Sequence, residues 1–199
     1  KIPSSKLSKE INFDINYNEK YLMLIQHPLS SEYLESYKQM CITLRAIKEL
    51  KIKTIIIFPN SDVGSKEIIR AIKEYDHLDF VYSIENLERE IFVNLLRNCS
   101  CLIGNSSAGI LEAPSLKLPV VNIGNRQKKR LHSTNVQFVQ HDVKKIKKAI
   151  KRSIFDKKYI AKVKKCKNPY GNGTASTKIA NILSQLKIDS KLLIKDITY

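Results

Sequence analysis

Six short, largely apolar runs, at residues 21–25, 54–58, 79–82, 101–103, 119–123 and 136–139, are separated by stretches long enough to hold helices. A strand with one wet face alternates apolar and polar residues, and most of these runs do not. Strands that are apolar on both faces and joined by helical crossovers belong in a parallel sheet covered on both sides. The expected fold is therefore α/β, a doubly wound, Rossmann-like parallel sheet. A helix is expected over residues 33–50, where Tyr33, Leu34, Tyr37, Met40, Cys41, Leu44, Ile47 and Leu50 form one stripe. Others are expected over 66–74 behind a Ser65 cap, over 87–97, and briefly between Ser107 and Pro114. Another covers 175–186, with Ile179, Ile182, Leu183 and Leu186 on one face.

With 199 residues, 43 % of them hydrophobic, the chain can bury a real core in one domain with a small appendage. No apolar run approaches the roughly 18 residues of a membrane span. The opening Lys1-Ile2-Pro3-Ser4-Ser5 is polar and leads into no secretory signal, so a cytoplasmic protein with no membrane partner is expected. Because the first residue is not methionine, the chain reads as a segment of something longer. Residues 1–19 are expected to lead in from a missing N-terminal domain, 20–186 to form the domain itself, and 187–199 to form a tail.

The cysteines Cys41, Cys99, Cys101 and Cys166 read as reduced thiols acting as small hydrophobes. Cys99 and Cys101 straddle a helix end and a buried strand and should face opposite ways, which is poor geometry for a shared metal. No metal and no cofactor is expected. The net charge of +16 is local: sixteen lysines and arginines lie between Arg126 and Lys167, against only Asp142 and Asp156. These basic residues lack aromatic interleaving of the kind that stacks bases, so a solvated basic helix surface is favoured over a nucleic-acid site.

Ligands of doubly wound sheets bind beyond the carboxyl ends of the strands. Four turns there carry polar groups: Gln26-His27-Pro28, Phe58-Pro59-Asn60, Gly104-Asn105-Ser106-Ser107 and Ile123-Gly124-Asn125-Arg126. Gly104-Asn105-Ser106-Ser107-Ala108-Gly109 joins a buried strand to a helix start. There, free N–H groups and two hydroxyls suit an anion, and the glycines could let backbone come close to it. The same serines could equally cap the helix. Glu112 is placed to accept from a ribose diol, or is a surface glutamate. His27 could donate to phosphate or move a proton, or simply make a local hydrogen bond. Asn60 either faces the cleft or makes a turn, and the Arg126 guanidinium could meet base or phosphate. Convergence of these ends on one crevice says more than any one of them.

Taken in order, Ile25-Gln26-His27-Pro28, the run from Phe58-Pro59-Asn60-Ser61-Asp62 to Lys66, the run from Ile103-Gly104-Asn105-Ser106-Ser107 to Glu112, Val121-Asn122-Ile123-Gly124-Asn125-Arg126-Gln127 and Asn168-Pro169-Tyr170-Gly171-Asn172-Gly173 form a specific set. From about Lys20 to Leu186 the chain resembles the C-terminal half of the hydrolysing UDP-N-acetylglucosamine 2-epimerases. The resemblance implies one half of a two-domain GT-B architecture, with the active site between two Rossmann-like domains. It implies that His27 touches the diphosphate and assists catalysis, that Asn60, Ser106 and Ser107 hold the nucleotide, that Glu112 holds the ribose, and that Arg126 lies at the nucleotide pocket. Non-hydrolysing relatives have an acidic segment where this chain has Arg126-Gln127-Lys128-Lys129-Arg130, which favours the hydrolysing branch. A UDP-sugar substrate, the missing N-terminal domain and a homo-oligomeric partner are implied with it. A GT-B glycosyltransferase and a non-catalytic nucleotide or nucleic-acid binding module are the competing readings.

Overall fold

A computed structural model describes residues 2–194; the last residues of the tail expected at 187–199, 195–199, lie outside the described residues. The chain forms two compact units, residues 1–169 and 170–199. The first holds a six-stranded, all-parallel sheet in the order β3-β2-β1-β4-β5-β6, with β1 Leu22–Ile25, β2 Thr54–Ile57, β3 Val81–Ile84, β4 Cys101–Gly104, β5 Val120–Ile123 and β6 Val136–Val139. The strand order reverses direction between β1 and β4, the crevice position of a doubly wound fold.

Side chains of each inner strand divide between two cores, because successive residues face opposite ways. Leu22 and Leu24 join Ile56, Ile103 and Val121 under α2 (Ser36–Leu50), α3 (Ser65–Lys73) and α6 (Val143–Phe155). Met23 and Ile25 join Ile55, Leu102 and Val120 under α1 (Ser4–Ile11), α4 (Arg89–Asn98) and α5 (Ala108–Leu111). Cys101 belongs to the first core and Cys99 to the second: Cys99 ends helix α4 and only Cys101 lies in β4, so strand alternation, which would put residues two apart on one face, does not govern the pair. Burial pushes both thiols up, so they behave as small hydrophobes.

Local differences from expectation have local causes. The stripe over 33–50 is not one α-helix: Ser30–Glu35 is a 3₁₀ segment, itself kinked at Glu32 (φ −128°, ψ 19°), and α2 begins only at Ser36. Tyr33 and Leu34 are consequently 44 % and 80 % exposed, and the buried face begins further along, at Met40, Leu44 and Ile47. Strand β3 begins two residues later than expected, because Thr54 pairs with Val81 and its N–H reaches Phe80 O from the preceding turn. Ser65 does not cap α3. Gly64, at φ 95°, is the cap residue, and the Ser65 hydroxyl donates to the carbonyls of Asn60 and Asp62.

The lead-in is partly structured. Leu7 and Ile11 of α1 are buried with Ile2 and Ile15, and Ile2 N–H donates to Asn94 Oδ1 at 3.0 Å. In the basic segment, α6 and α7 (Lys157–Lys164) turn Ile146, Ile150, Ile154, Tyr159 and Val163 inward and leave lysines outside. Its two acids have structural work: Asp142 accepts from Lys145 N–H, and Asp156 from the N–H groups of Lys158 and Tyr159, capping the two helices. The helix expected over 175–186 is α8, Ala175–Gln185. It falls in the second unit, with Ile179, Ile182, Leu183 and Leu186 exposed.

Gly104 is the backbone position on which the ligand end of the sheet depends. Its φ of 113° is unfavourable for any side chain, and a Cβ there would lie 2.1 Å from the carbonyl oxygen of Ile25. Neither backbone can yield without breaking the β1–β4 register that pairs Ile25 with Gly104. Gly104→Ala should therefore lower unfolding free energy by about 3 kcal/mol or more. Urea titration is the measurement, and a loss below that of an ordinary surface substitution would refute the assignment.

Candidate active site

Ile25 pairs with Ile57 on one side and Gly104 on the other, so the turns after β1, β2 and β4 emerge together. Gln26 turns away into the core, where it accepts from the Thr43 hydroxyl at 2.8 Å. His27 is fixed at the backbone by Asn105, whose carboxamide accepts from His27 N–H at 2.7 Å and donates to His27 O at 2.8 Å. The carbonyl of Asn105 in turn receives Arg126 Nη1 at 3.2 Å and Gln127 Nε2 at 2.9 Å. One buried asparagine thus ties the ends of β1, β4 and β5 into a single unit.

A cavity of about 460 Å³ opens over these turns and is lined by His27, Asn60, Ser106, Ser107 and Glu112, together with Phe58, Pro59, Glu85, Arg89 and Phe92. Five of the six residues expected at the site share it. The sixth, Arg126, is not among the lining residues, because its guanidinium is held by the Asn105 carbonyl. A concavity of about 1040 Å³ adjoins across Pro59 and Asn60, edged by the exposed Tyr33, Leu34 and Val63.

At the β4 turn, Ser106 Oγ accepts from Ala108 N–H at 3.3 Å, so Ser106 does the capping while Ser107 caps nothing with its side chain. The N–H groups of Ser106 and Ser107 find no acceptor among the described residues. Helix α5 is a single turn, so these donors and the Ser107 hydroxyl, rather than a long helix dipole, are what an anion would meet. The two glycines do not serve close ligand approach, as their sequence suggests. The space beside Gly104 is taken by Ile25 O, and a Cβ on Gly109 would lie 2.8 Å from Val120 Cγ1.

Glu112 pairs with Arg89, a cavity residue that the sequence reading missed. Arg89 opens α4, far from any of the motif turns, and only the fold brings it to Glu112. Asn105 was passed over because a buried asparagine between a glycine and two serines resembles turn filler. Asn60 donates from Nδ2 to Asp62 Oδ2 at 2.7 Å, with its Oδ1 3.1 Å from His27 Nδ1. Among the described residues no group of three His, Cys, Asp or Glu side chains is arranged to hold a metal, and no helix is long and apolar enough to cross a membrane.

Comparison with known proteins points in one direction. The family described as UDP-N-acetylglucosamine 2-epimerase matches residues 2–184. A UDP-N,N'-diacetylbacillosamine 2-epimerase (hydrolyzing) of Legionella pneumophila is 34 % identical over 179 residues, covering 89 % of this chain and 46 % of that protein. The polysialic acid biosynthesis protein P7 of Escherichia coli is 35 % identical over 158 residues, 76 % of this chain and 39 % of that one. The crystal structure of UDP-GlcNAc 2-epimerase from Neisseria meningitidis bound to UDP-GlcNAc superposes with a TM-score of 0.74 at 22 % identity, over 92 % of this chain and 49 % of that one. The chain therefore spans about half the length, or less, of the relatives it matches.

Two histidines at this end of the sheet titrate abnormally. Burial lowers the His27 pKa, and the Arg126 charge lowers it further, against the opposing effects of Asn60 and Asp62. Burial also lowers that of His141, whose Nδ1 lacks a partner among the described residues and whose Nε2 lies where a Gly124 side chain would be. Both folded values lie below the ordinary 6.5. Below that pH the unfolded chain binds more protons than the folded one, so the stability present above it is lost on acidification. Unfolding free energy should fall between about pH 7.5 and 5.5, and His141→Gln should flatten that slope. A slope identical in the variant would show that His141 does not contribute.

Proposed function

The chain belongs to the UDP-N-acetylglucosamine 2-epimerase family, and from that premise we propose that it is the nucleotide-binding half of a hydrolysing 2-epimerase acting on UDP-N-acetylglucosamine or a UDP-diacetamido sugar. The observation that carries the reading is the cavity at the ends of β1, β2 and β4, where unpaired N–H groups and hydroxyls of Ser106 and Ser107 share one space with His27 and Glu112. Coverage of about half of each relative supports a GT-B enzyme whose other half supplies the second wall. The basic Arg126 to Arg130 segment supports the hydrolysing branch over the non-hydrolysing one.

On this reading UDP is eliminated across C1 and C2 of the sugar, and water adds to the resulting glycal to release the 2-epimeric sugar, such as N-acetylmannosamine. Negative charge grows on the departing diphosphate, and donors already fixed in place stabilise it without reorganising. Ser106, Ser107 and His27 face that charge, Glu112 takes the ribose diol with Arg89 steadying its carboxylate, and Asn60 lines the same pocket, while Arg126 stays behind it on the Asn105 carbonyl. The elimination also needs a base at C2. Glu112 is committed to the ribose and His27 to the diphosphate, which leaves the C2 base to the other half. Bulk solvent must also be kept from the sugar, so that only the water that adds to the glycal reaches it, which requires a domain closing over the cleft.

Two outcomes follow. The 199-residue chain should bind UDP more tightly than uridine in calorimetry, and equal affinities would remove the diphosphate site. Incubated with UDP-N-acetylglucosamine, it should release neither UDP nor N-acetylmannosamine, whereas the complete protein should release both. Turnover by the chain alone near that of the complete protein would overturn the division of labour.

A further inference from the structure

We propose that Asp62 is a positioning residue for His27, acting through the carboxamide of Asn60 so that Nδ1 of His27 has a partner in either protonation state and Nε2 always carries a proton. The starting point is a double contact at one atom. Asn60 N–H lies 3.2 Å from His27 Nδ1, and Asn60 Oδ1 lies 3.1 Å from the same nitrogen. A donor and an acceptor cannot both be satisfied at once. The backbone N–H is aimed at Nδ1 and cannot turn away, so the neutral ring keeps its lone pair there and accepts from it, whereas in the charged ring the Nδ1 proton donates to Oδ1.

The consequence appears at the other nitrogen. A neutral imidazole that accepts at Nδ1 has its proton on Nε2, and the imidazolium has one there as well. Nε2 has no partner among the described residues, and His27 lines the cavity. A ligand oxygen there therefore meets an N–H whether or not the ring is charged. Reversal of the Asn60 amide would spoil this by presenting Nδ2, a donor, to a protonated Nδ1. Asp62 prevents it, since its Oδ2 takes the Nδ2 proton at 2.7 Å and can accept only from that end. The loop carrying both residues is pinned by the Ser65 hydroxyl at the carbonyls of Asn60 and Asp62.

The surrounding charges set the balance. Arg126, after β5, and burial oppose protonation of His27, while Asp62 favours it. Glu85, at the end of β3, Arg89 on α4 and Glu112 after α5 face the same cavity. Against burial and Arg126, a waiting acceptor at Nδ1 is what lets His27 become a cation when an anion arrives. The link to a departing diphosphate rests on the function proposed above; the arrangement at Nδ1 does not.

The test is long-range ¹⁵N–¹H spectroscopy of the histidine-labelled 199-residue chain across a pH titration. Neutral His27 should be the Nε2–H tautomer. Asp62→Ala should lower the His27 pKa by about one unit. Asp62→Asn, which loses the charge but can still accept from Asn60 Nδ2, should lower it by less. Asn60→Ala, which leaves Asp62 in place but removes Oδ1, should lower it about as much as Asp62→Ala, and it keeps the proposal testable if the latter does not fold. A neutral Nδ1–H tautomer, equal shifts in the two Asp62 variants, or no shift in Asn60→Ala would each overturn the proposal. Failure of the wild-type chain to bind UDP would instead overturn the functional reading while leaving the tautomer result standing.

Discussion

The Asn105 carboxamide bonds both polar groups of the His27 peptide, one across each edge of the same residue, and the ligand end of the sheet is organised around that clamp. It exists only because β1 and β4 are adjacent and in a register that pairs Ile25 with Gly104. A positive φ at Gly104 then turns the chain so that Asn105 N–H reaches Ile25 O at 3.1 Å and its side chain comes under His27. The carbonyl of Asn105 holds the β5 turn through Arg126 and Gln127. Each bond contributes about 0.5–1.5 kcal/mol, but with Asn105 buried, loss of the side chain would strand several partners at once. A residue with no chemistry of its own thereby sets the positions of those that have it.

The parallel sheet was legible from the sequence because strands buried on both faces carry their signal in composition: consecutive Leu22-Met23-Leu24-Ile25 and Thr54-Ile55-Ile56-Ile57, separated by a helix-length stretch, fit a parallel sheet covered on both sides. The turns were legible too, because topology concentrates ligands there. What escaped were relations between side chains distant in the chain. Arg89 reaches Glu112 across 23 positions, and Asn105 reaches His27 across 78; no local pattern records either. The helix expected from Tyr33 failed for a different reason, since periodicity counts apolar residues but does not detect that residues up to Glu35 take 3₁₀ rather than α geometry, and there Tyr33 and Leu34 are exposed. The lead-in was undervalued because Leu7 and Ile11 are only two apolar residues in a polar octet, and their burial depends on Asn94 and Ile2 meeting beside them.

The net charge of +16 lies almost wholly off the site. Lysines of α6 and α7 cover a solvent face, with Asp142 and Asp156 taken up as caps, whereas no lysine lines the cavity of His27 and the serines. Its charged lining is Glu85, Arg89 and Glu112, with the last two paired to each other. A site of this composition would hold an anion by oriented N–H and O–H dipoles and a titratable ring rather than by fixed cations. On the proposed function this division has a physical reason. Fixed positive charges bind the diphosphate of intact substrate almost as strongly as the departing one, which lowers the ground state together with the transition state. Dipoles aimed at one position, and a histidine held neutral by burial and Arg126 until an anion draws it toward the cation, respond most when charge accumulates there. The basic surface elsewhere can then vary with solubility or surface association without disturbing the cavity.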